Sequence, residues 1–211
     1  MVKCLPMVSK REIEQARDCI AGGGVVAIPT DTLYGLAADA TNPDALEKVY
    51  EIKGRPSGMA LPVLVSGWDQ VEMVSSVAGR CGELARILAE RFWPGPLTLV
   101  LPADPELPPR LTAGLDTIAV RMPDHAVPLA LAAGLGRPIT GTSANRSGEP
   151  DLTDPEELSR CLGGLVDGII VSGESPQGTA STIVAVSDDD LTLLRAGALP
   201  FSEVRRAVGL T

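Results

Sequence analysis

A chain of 211 residues with 45% apolar residues is long enough to bury a sizeable core without disulfides or metals, and too apolar to stay disordered. Its net charge of -9 excludes broad electrostatic binding of nucleic acid, which needs a basic face, but leaves room for a local basic pocket. Four scattered cysteines with no CxxC pair, and a single His, exclude the common zinc and redox arrangements.

Ser9-Lys10-Arg11-Glu12 is a capping box, so a helix is expected behind it, with Ile13, Ala16 and Ile20 on one face and a stop at Gly22. Gly24 to Pro29 is a short apolar run, expected as a buried strand. Thr30, Asp31 and Thr32 then form a hydroxyl-rich turn. Asn42-Pro43 opens the next helix as N-cap and N1; Leu46, Val49, Tyr50 and Lys53 share one side, and Gly54 ends it. Leu61 to Val65 is expected as a strand, and Val71 to Phe92 as helix with a break near Gly79 to Gly82. Trp93-Pro94-Gly95-Pro96 stops that helix, Leu97 to Leu101 is a strand, and Asp104 to Pro109 is a Pro-rich loop.

Thr117 to Met122 alternates with period two, placing Thr117, Ala119 and Arg121 on one face and Ile118, Val120 and Met122 on the other. Pro128 to Ala133 is expected as helix, and Ile139 starts a short strand running into Gly141 to Gly148. Asp154 caps a further helix, Ile169 to Val171 is a strand, and Ser181 to Val186 and Leu191 to Arg195 form a hairpin around Asp188-Asp189-Asp190. Ser202 to Val208 closes the chain as a short helix. Interspersed helices and strands with a terminal hairpin predict an α/β fold, a mixed sheet with flanking helices. Without an internal repeat or linker, residues 1–211 are expected to form a single domain. The opening MVKCLPMVSKRE turns charged at once, so no signal peptide is expected. No apolar run reaches the ~18 residues of a membrane helix. The expectation is a reduced, cytoplasmic protein.

Several chemistries are missing from the sequence. There is no GxxxxGK[ST] and no GxGxxG. Gly141-Thr142-Ser143-Ala144-Asn145 lacks the second Gly of a nucleophile elbow, and His125 precedes Ser143, so a Ser-His triad is not expected. His125 reads as a surface turn residue without a role. What remains is a set of donor-rich loop ends. Lys53 and Arg55 either complement a helix C-terminus or hold an anion, with Pro56 stiffening the loop. Gly141 to Gly148 is either an ordinary polar loop or a backbone nest for phosphate. Arg121 is either a surface Arg on an edge strand or a ligand contact.

Read together, PTDTLYGL (29–36), KGRP (53–56), WPGPLTLVL (93–101), TIAVRMPDH (117–125), TSANRSGEP (142–150), STIV (181–184) and LRAGAL (194–199) resemble the YrdC/Sua5 family of threonylcarbamoyl-AMP synthases, in order and over nearly the whole chain. The resemblance implies a twisted sheet with a concave, positively lined pocket. It also implies a nucleotidyltransferase that makes threonylcarbamoyl-AMP and pyrophosphate from L-threonine, bicarbonate and ATP, for t6A modification of tRNA by a separate transferase complex. Carried over by position, Lys53 and Arg55 would be catalytic and bind ATP together with Thr117, Ser143, Asn145 and Arg195. Thr32, Arg121, Gly141 and Ser181 would bind threonine. Mg²⁺ would accompany ATP, with no protein ligand assigned. Met59 and Leu64 stand where some members carry a polar residue and a His. The long members add a C-terminal domain, and the expectation is a short form without it. Two rival readings are an RNA-binding or ribosome-maturation factor using the same concave surface, which the net charge opposes, and a carbamoyl-transfer domain of the hydrogenase-maturation type, which would bring zinc-finger cysteines.

Overall fold

Ser9 caps the first helix, α1 (Lys10–Ala21), through the reciprocal contact expected: its Oγ accepts from the Glu12 amide at 3.2 Å while its own amide donates to the Glu12 carboxylate at 2.8 Å. The computed structural model describes residues 8–171 and 178–210. Beyond α1 run β1 (Val26–Ile28), β2 (Gly35–Ala37), α2 (Pro43–Lys53), β3 (Val63–Leu64), α3 (Trp68–Glu72) and α4 (Gly79–Phe92). Next come β4 (Leu97–Pro102), α5 (Pro109–Thr112), β5 (Thr117–Arg121), α6 (Ala126–Leu135), β6 (Ile139–Thr140) and β7 (Thr142–Ser143). The chain closes with α7 (Pro155–Leu162), β8 (Gly168–Ile169), β9 (Thr182–Val186), β10 (Leu191–Arg195) and α8 (Phe201–Ala207).

The strands form two mixed sheets rather than one. The smaller has the order β7-β2-β1-β8 and the larger β10-β9-β4-β5-β3-β6. The extra sheet arises from β2, which pairs antiparallel with β1 inside the segment read only as a turn leading to a helix. The sheets meet where β6 leaves the larger and β7 enters the smaller, with Gly141 as the residue between them. Thr140 stitches this seam: its Oγ1 donates to the Leu36 carbonyl at 2.7 Å and accepts from the Ala38 amide at 3.0 Å.

Alternation fixes the larger sheet's faces. Leu97, Leu99, Leu101, Ile118, Val120 and Val184 are all buried on one side. At roughly 1.5–3 kcal/mol for each large apolar side chain, that face dictates the register. A one-residue slip of β5 would carry the Arg121 guanidinium into the core. The opposite side carries Thr98 and Val100 from β4, Ala119 and Arg121 from β5, and Ile183 from β9, and it faces a cavity.

Three other expectations change. The helix break falls at 73–78, before Gly79; Gly82 sits inside α4, where its neighbours' backbone hydrogen bonds tolerate it. The helix α6 starts earlier than the apolar run suggested, and His125 is its buried N-cap, with Nδ1 accepting from the Val127 amide at 3.1 Å. A surface turn role for His125 is therefore wrong. The short helix α5 follows the Pro-rich loop, and its Arg110 guanidinium stacks on the Tyr50 ring at 3.8 Å.

Candidate active site

The two sheets enclose a cavity of about 370 Å³, within the range of a small-ligand site. Its walls bring together seven of the ten residues singled out from sequence: Thr32, Arg55, Arg121, Gly141, Ser143, Ser181 and Arg195. Lys53, Asn145 and Thr117 do not line it.

Arg121 is the most buried of the three lining arginines. The period-two pattern of β5 aims it at the cavity, yet it is only 6% exposed. Its Nε donates to the Gly95 carbonyl at 2.9 Å, Nη1 donates to Thr32 Oγ1 at 2.8 Å, and Nη2 makes a short charged contact with Asp31. Burial pushes the guanidinium's pKa down, and Asp31 opposes that shift. Three donors are thus engaged, and two of the five N–H groups stay available to an incoming carboxylate. The turn that brings Asp31 and Thr32 here is built by Thr30, whose Oγ1 donates to the Leu33 carbonyl at 2.6 Å and accepts from the Thr32 and Leu33 amides. Thr30 is the turn former its sequence suggested. Asp31 is more than that.

Arg55 approaches from the loop after α2. Gly54 turns the chain there with φ 55 in the left-handed region. The guanidinium folds back so that Nε donates to the Met59 carbonyl at 3.0 Å and Nη2 to the Ala60 carbonyl at 2.8 Å. The Tyr50 hydroxyl reaches the same Met59 carbonyl at 2.8 Å, tying the loop to α2. Met59 thus contributes its backbone, while its side chain is exposed.

Lys53 is not a free cation. It is 2% exposed, and Nζ donates to the carbonyls of Ser143 at 2.5 Å and Asn145 at 2.8 Å and to Asn145 Oδ1 at 3.0 Å. Its own carbonyl accepts from the Ser147 amide at 2.8 Å. Asn145 Oδ1 also accepts from Ser143 Oγ at 2.7 Å, and its amide nitrogen donates to the Glu149 carbonyl at 2.6 Å. Lys53 and Asn145 therefore form the buried anchor of the loop that presents Ser143 to the cavity. Burial first, and then the charge of Arg55, push the Lys53 ammonium down to about 8, while Asp151 opposes.

On the far wall, Arg195 donates through Nε and Nη2 to the Ser181 carbonyl at 3.1 and 2.9 Å, and through Nη2 to Ser181 Oγ at 3.0 Å. This needs the backbone after β10 to press on Ser181. Gly197 permits it, because a Cβ there would lie 2.4 Å from the Ala180 carbonyl oxygen and the Ser181 carbonyl carbon. Gly141 answers a similar demand at the seam, where a Cβ would stand 2.5 Å from Leu64 Cγ. Its amide is committed to the Pro62 carbonyl at 2.8 Å, which leaves its carbonyl for a ligand. Gly141→Ala is expected to destabilise by about 1–3 kcal/mol through overpacking, and to cost less when made in a Leu64→Ala background, as a double-mutant cycle in denaturant titrations would read. An equal cost in both backgrounds would show the contact to be soft.

Thr117 lies at the other end of β5, four residues from Arg121 and opposite Pro102, outside the lining of this cavity. Two lining residues escaped sequence reasoning. Asp151 adds a carboxylate to a wall otherwise rich in cations. Thr98 is buried, with Oγ1 2.8 Å from Ser181 Oγ. Its signal was present: a lone hydroxyl in an apolar strand, on the face opposite the leucines. Among the described residues no group of three or more His, Cys, Asp or Glu side chains could hold a metal, and no helix is long and apolar enough to cross a membrane.

The family model described as "Telomere recombination", Sua5_yciO_yrdC, matches residues 18–197. A threonylcarbamoyl-AMP synthase of Bacillus subtilis (strain 168) is 44% identical over 94% of this chain and 57% of its own length. One of Pyrococcus abyssi (strain GE5 / Orsay) is 40% identical over 96% of this chain and 58% of its own. The crystal structure of P. abyssi Sua5 complexed with L-threonine superposes with a TM-score of 0.89 at 38% identity, covering 96% of this chain and 58% of that one. The chain thus spans a little over half the length of these relatives. With the family model matching residues 18–197 and relatives 40–44% identical over nearly the whole of it, the chain belongs to the Sua5/YciO/YrdC family.

Proposed function

We propose that this chain catalyses formation of threonylcarbamoyl-AMP and pyrophosphate from L-threonine, bicarbonate and ATP, a nucleotidyl transfer in which a carbamate is the acceptor. The observation that carries the reading is one cavity holding a deep, paired guanidinium, Arg121, and two outer ones, Arg55 and Arg195. That is the charge arrangement for an amino-acid carboxylate placed beside a polyphosphate. The names of the similar synthases support the same conclusion.

In this reading threonine docks its carboxylate on Arg121, beside Thr32 and Ser181. Its neutral amine attacks the carbon of carbon dioxide and loses a proton to solvent, or attacks bicarbonate, from which a C–O bond breaks and the oxygen leaves as water with the amine proton; either way the carbamate N–C bond forms. A carbamate oxygen then attacks the α-phosphorus, and the bond to pyrophosphate breaks. Arg55, Arg195 and Ser143 surround the phosphates, while Lys53 and Asn145 hold Ser143 in place. None of these steps needs a protein nucleophile, so positioning and charge stabilisation supply the catalysis. Magnesium would enter with ATP as part of the substrate and would supply neutralisation of phosphate charge, with no protein ligand assigned. The product would pass to a t6A transferase complex in the cytoplasm.

Pyrophosphate release from ATP is expected to require both L-threonine and bicarbonate. Release indifferent to either would overturn the reading, and so would tight, salt-resistant tRNA binding with no turnover. Arg55→Ala is expected to lower kcat/KM by about 10²–10³-fold, the usual cost of one preorganised donor, with the melting temperature nearly unchanged because its two protein acceptors are on an exposed loop. Wild-type turnover by that variant would remove Arg55 from the mechanism.

A further inference from the structure

The hydroxyls of Thr98 and Ser181 lie 2.8 Å apart and are both buried. Two hydroxyls sharing one hydrogen bond leave one proton unspent. Arg195 already fills a lone pair on Ser181 Oγ from the other side. Either hydroxyl can be the donor to the other, so the pair as a whole keeps one proton and spare lone pairs for a group in the cavity that both residues line.

The position of Thr98 says what that occupant is. The antiparallel register of β4 and β5 pairs Leu99 with Val120 and Val100 with Ala119, so Thr98 and Arg121 are the residues that follow at the same end of this ladder. Cross-strand neighbours on one face have Cβ atoms roughly 4.5–5.5 Å apart. On the other side, Thr98 is paired with Ile183. The hydroxyl pair and the Arg121 guanidinium thus line the same cavity from neighbouring strands. Apolar neighbours surround Thr98: Val100 and Ala119 one step along the strands, Ile183 beside it, and Leu64 across the seam. A hydroxyl partner next to a methyl-sized apolar wall is complementary to a β-hydroxy side chain carrying a methyl group.

We infer that Thr98 is the specificity-determining residue of the amino-acid subsite, reading the substrate's side-chain hydroxyl. The inference rests on the reading of this chain as a threonylcarbamoyl-AMP synthase, since it takes Arg121 as the carboxylate anchor. An apolar pocket alone discriminates weakly, whereas a buried hydroxyl left unpaired by the wrong substrate discriminates by orders of magnitude.

The test compares L-threonine with L-2-aminobutyrate, which differs only in lacking the hydroxyl. Both are measured by calorimetric binding and by bicarbonate-dependent pyrophosphate release, on wild type, Thr98→Val and Thr98→Ser. Wild type is expected to prefer threonine by at least about 10²-fold, and Thr98→Val to reduce that preference by at least about 10-fold, with 2-aminobutyrate binding held or improved. Thr98→Ser, which keeps the hydroxyl, is expected to keep the preference. A purely structural role would weaken both amino acids equally and leave the ratio unmoved, and that result overturns the inference. Thr98→Ala removes atoms only and serves the same comparison if Thr98→Val is not recovered folded. Binding discrimination without turnover in wild type would overturn the synthase reading while leaving Thr98 judged on the binding ratio.

Discussion

Arg121→Met is expected to destabilise the protein by about 3–5 kcal/mol, the cost of leaving one member of a buried ion pair uncompensated, and to abolish threonine-dependent pyrophosphate release. The two effects have different origins. Asp31 and Arg121 are both largely withdrawn from solvent, with side chains 11% and 7% exposed. Met fills the volume of the stem but leaves the Asp31 carboxylate, the Gly95 carbonyl and Thr32 Oγ1 without the donors that now satisfy them. Asp31→Asn alone removes the charge but keeps an acceptor, so it should loosen the guanidinium rather than release it, raising KM for threonine more than it lowers kcat. The double variant Asp31→Asn/Arg121→Met removes both charges. Much of the stability should return in chemical denaturation, while turnover stays absent, because the carboxylate anchor is still missing. A double variant that regained activity would show that Arg121 serves the fold alone. An Arg121→Met protein as stable as wild type would show that the pair is solvated in a way its burial does not suggest.

How far the sequence led differs between the strands and the site. The period-two pattern of Thr117 to Met122 was enough to put Arg121 opposite the core face, and the capping signals at Ser9, Asn42 and Asp154 placed three helix starts correctly. These features are local, so a single segment contains all the information. β2 escaped because its three residues are buried on both faces and show no alternation to read. The division into two sheets escaped for a related reason, as it depends on one residue, Gly141, at which the chain passes from one sheet to the other. At the site, the resemblance to a family marked loops that the fold brings to one cavity, but not what each residue touches there. Asp31 and Arg121 are 90 residues apart, and nothing near either announces the other. Lys53 at a helix end satisfies both the dipole reading and the anion-binding reading. Only the three oxygens around its Nζ show a third role, as the anchor of a loop some 90 residues downstream.

That role gives Lys53 a pH dependence with opposite signs for activity and stability. Lys53→Met should lower turnover by about 10²-fold, since a displacement near 1 Å of a positioning group costs that much, and should destabilise by about 3 kcal/mol by leaving buried acceptors unpaired. In the wild type, the ammonium's pKa is pushed from 10.5 down to about 8, by burial first and Arg55 second. Below about 8 both the folded and the unfolded protein carry the proton, and the full cost of burying the charge is present. Between about 8 and 10.5 the folded protein has released a proton that the unfolded chain retains, so this group's contribution to stability rises with pH through that window. Activity moves the other way. A neutral amine has two N–H donors for three oxygens and turns its lone pair toward the third, so the loop carrying Ser143 slackens as the local positive charge is lost. The expected result is an alkaline limb in kcat/KM near pH 8 that Lys53→Met lacks, while the wild type gains stability relative to Lys53→Met across the same range. Parallel stability curves for the two proteins, or an alkaline limb that survives in Lys53→Met, would assign the titration to another group and leave Lys53 as an anchor that stays charged throughout.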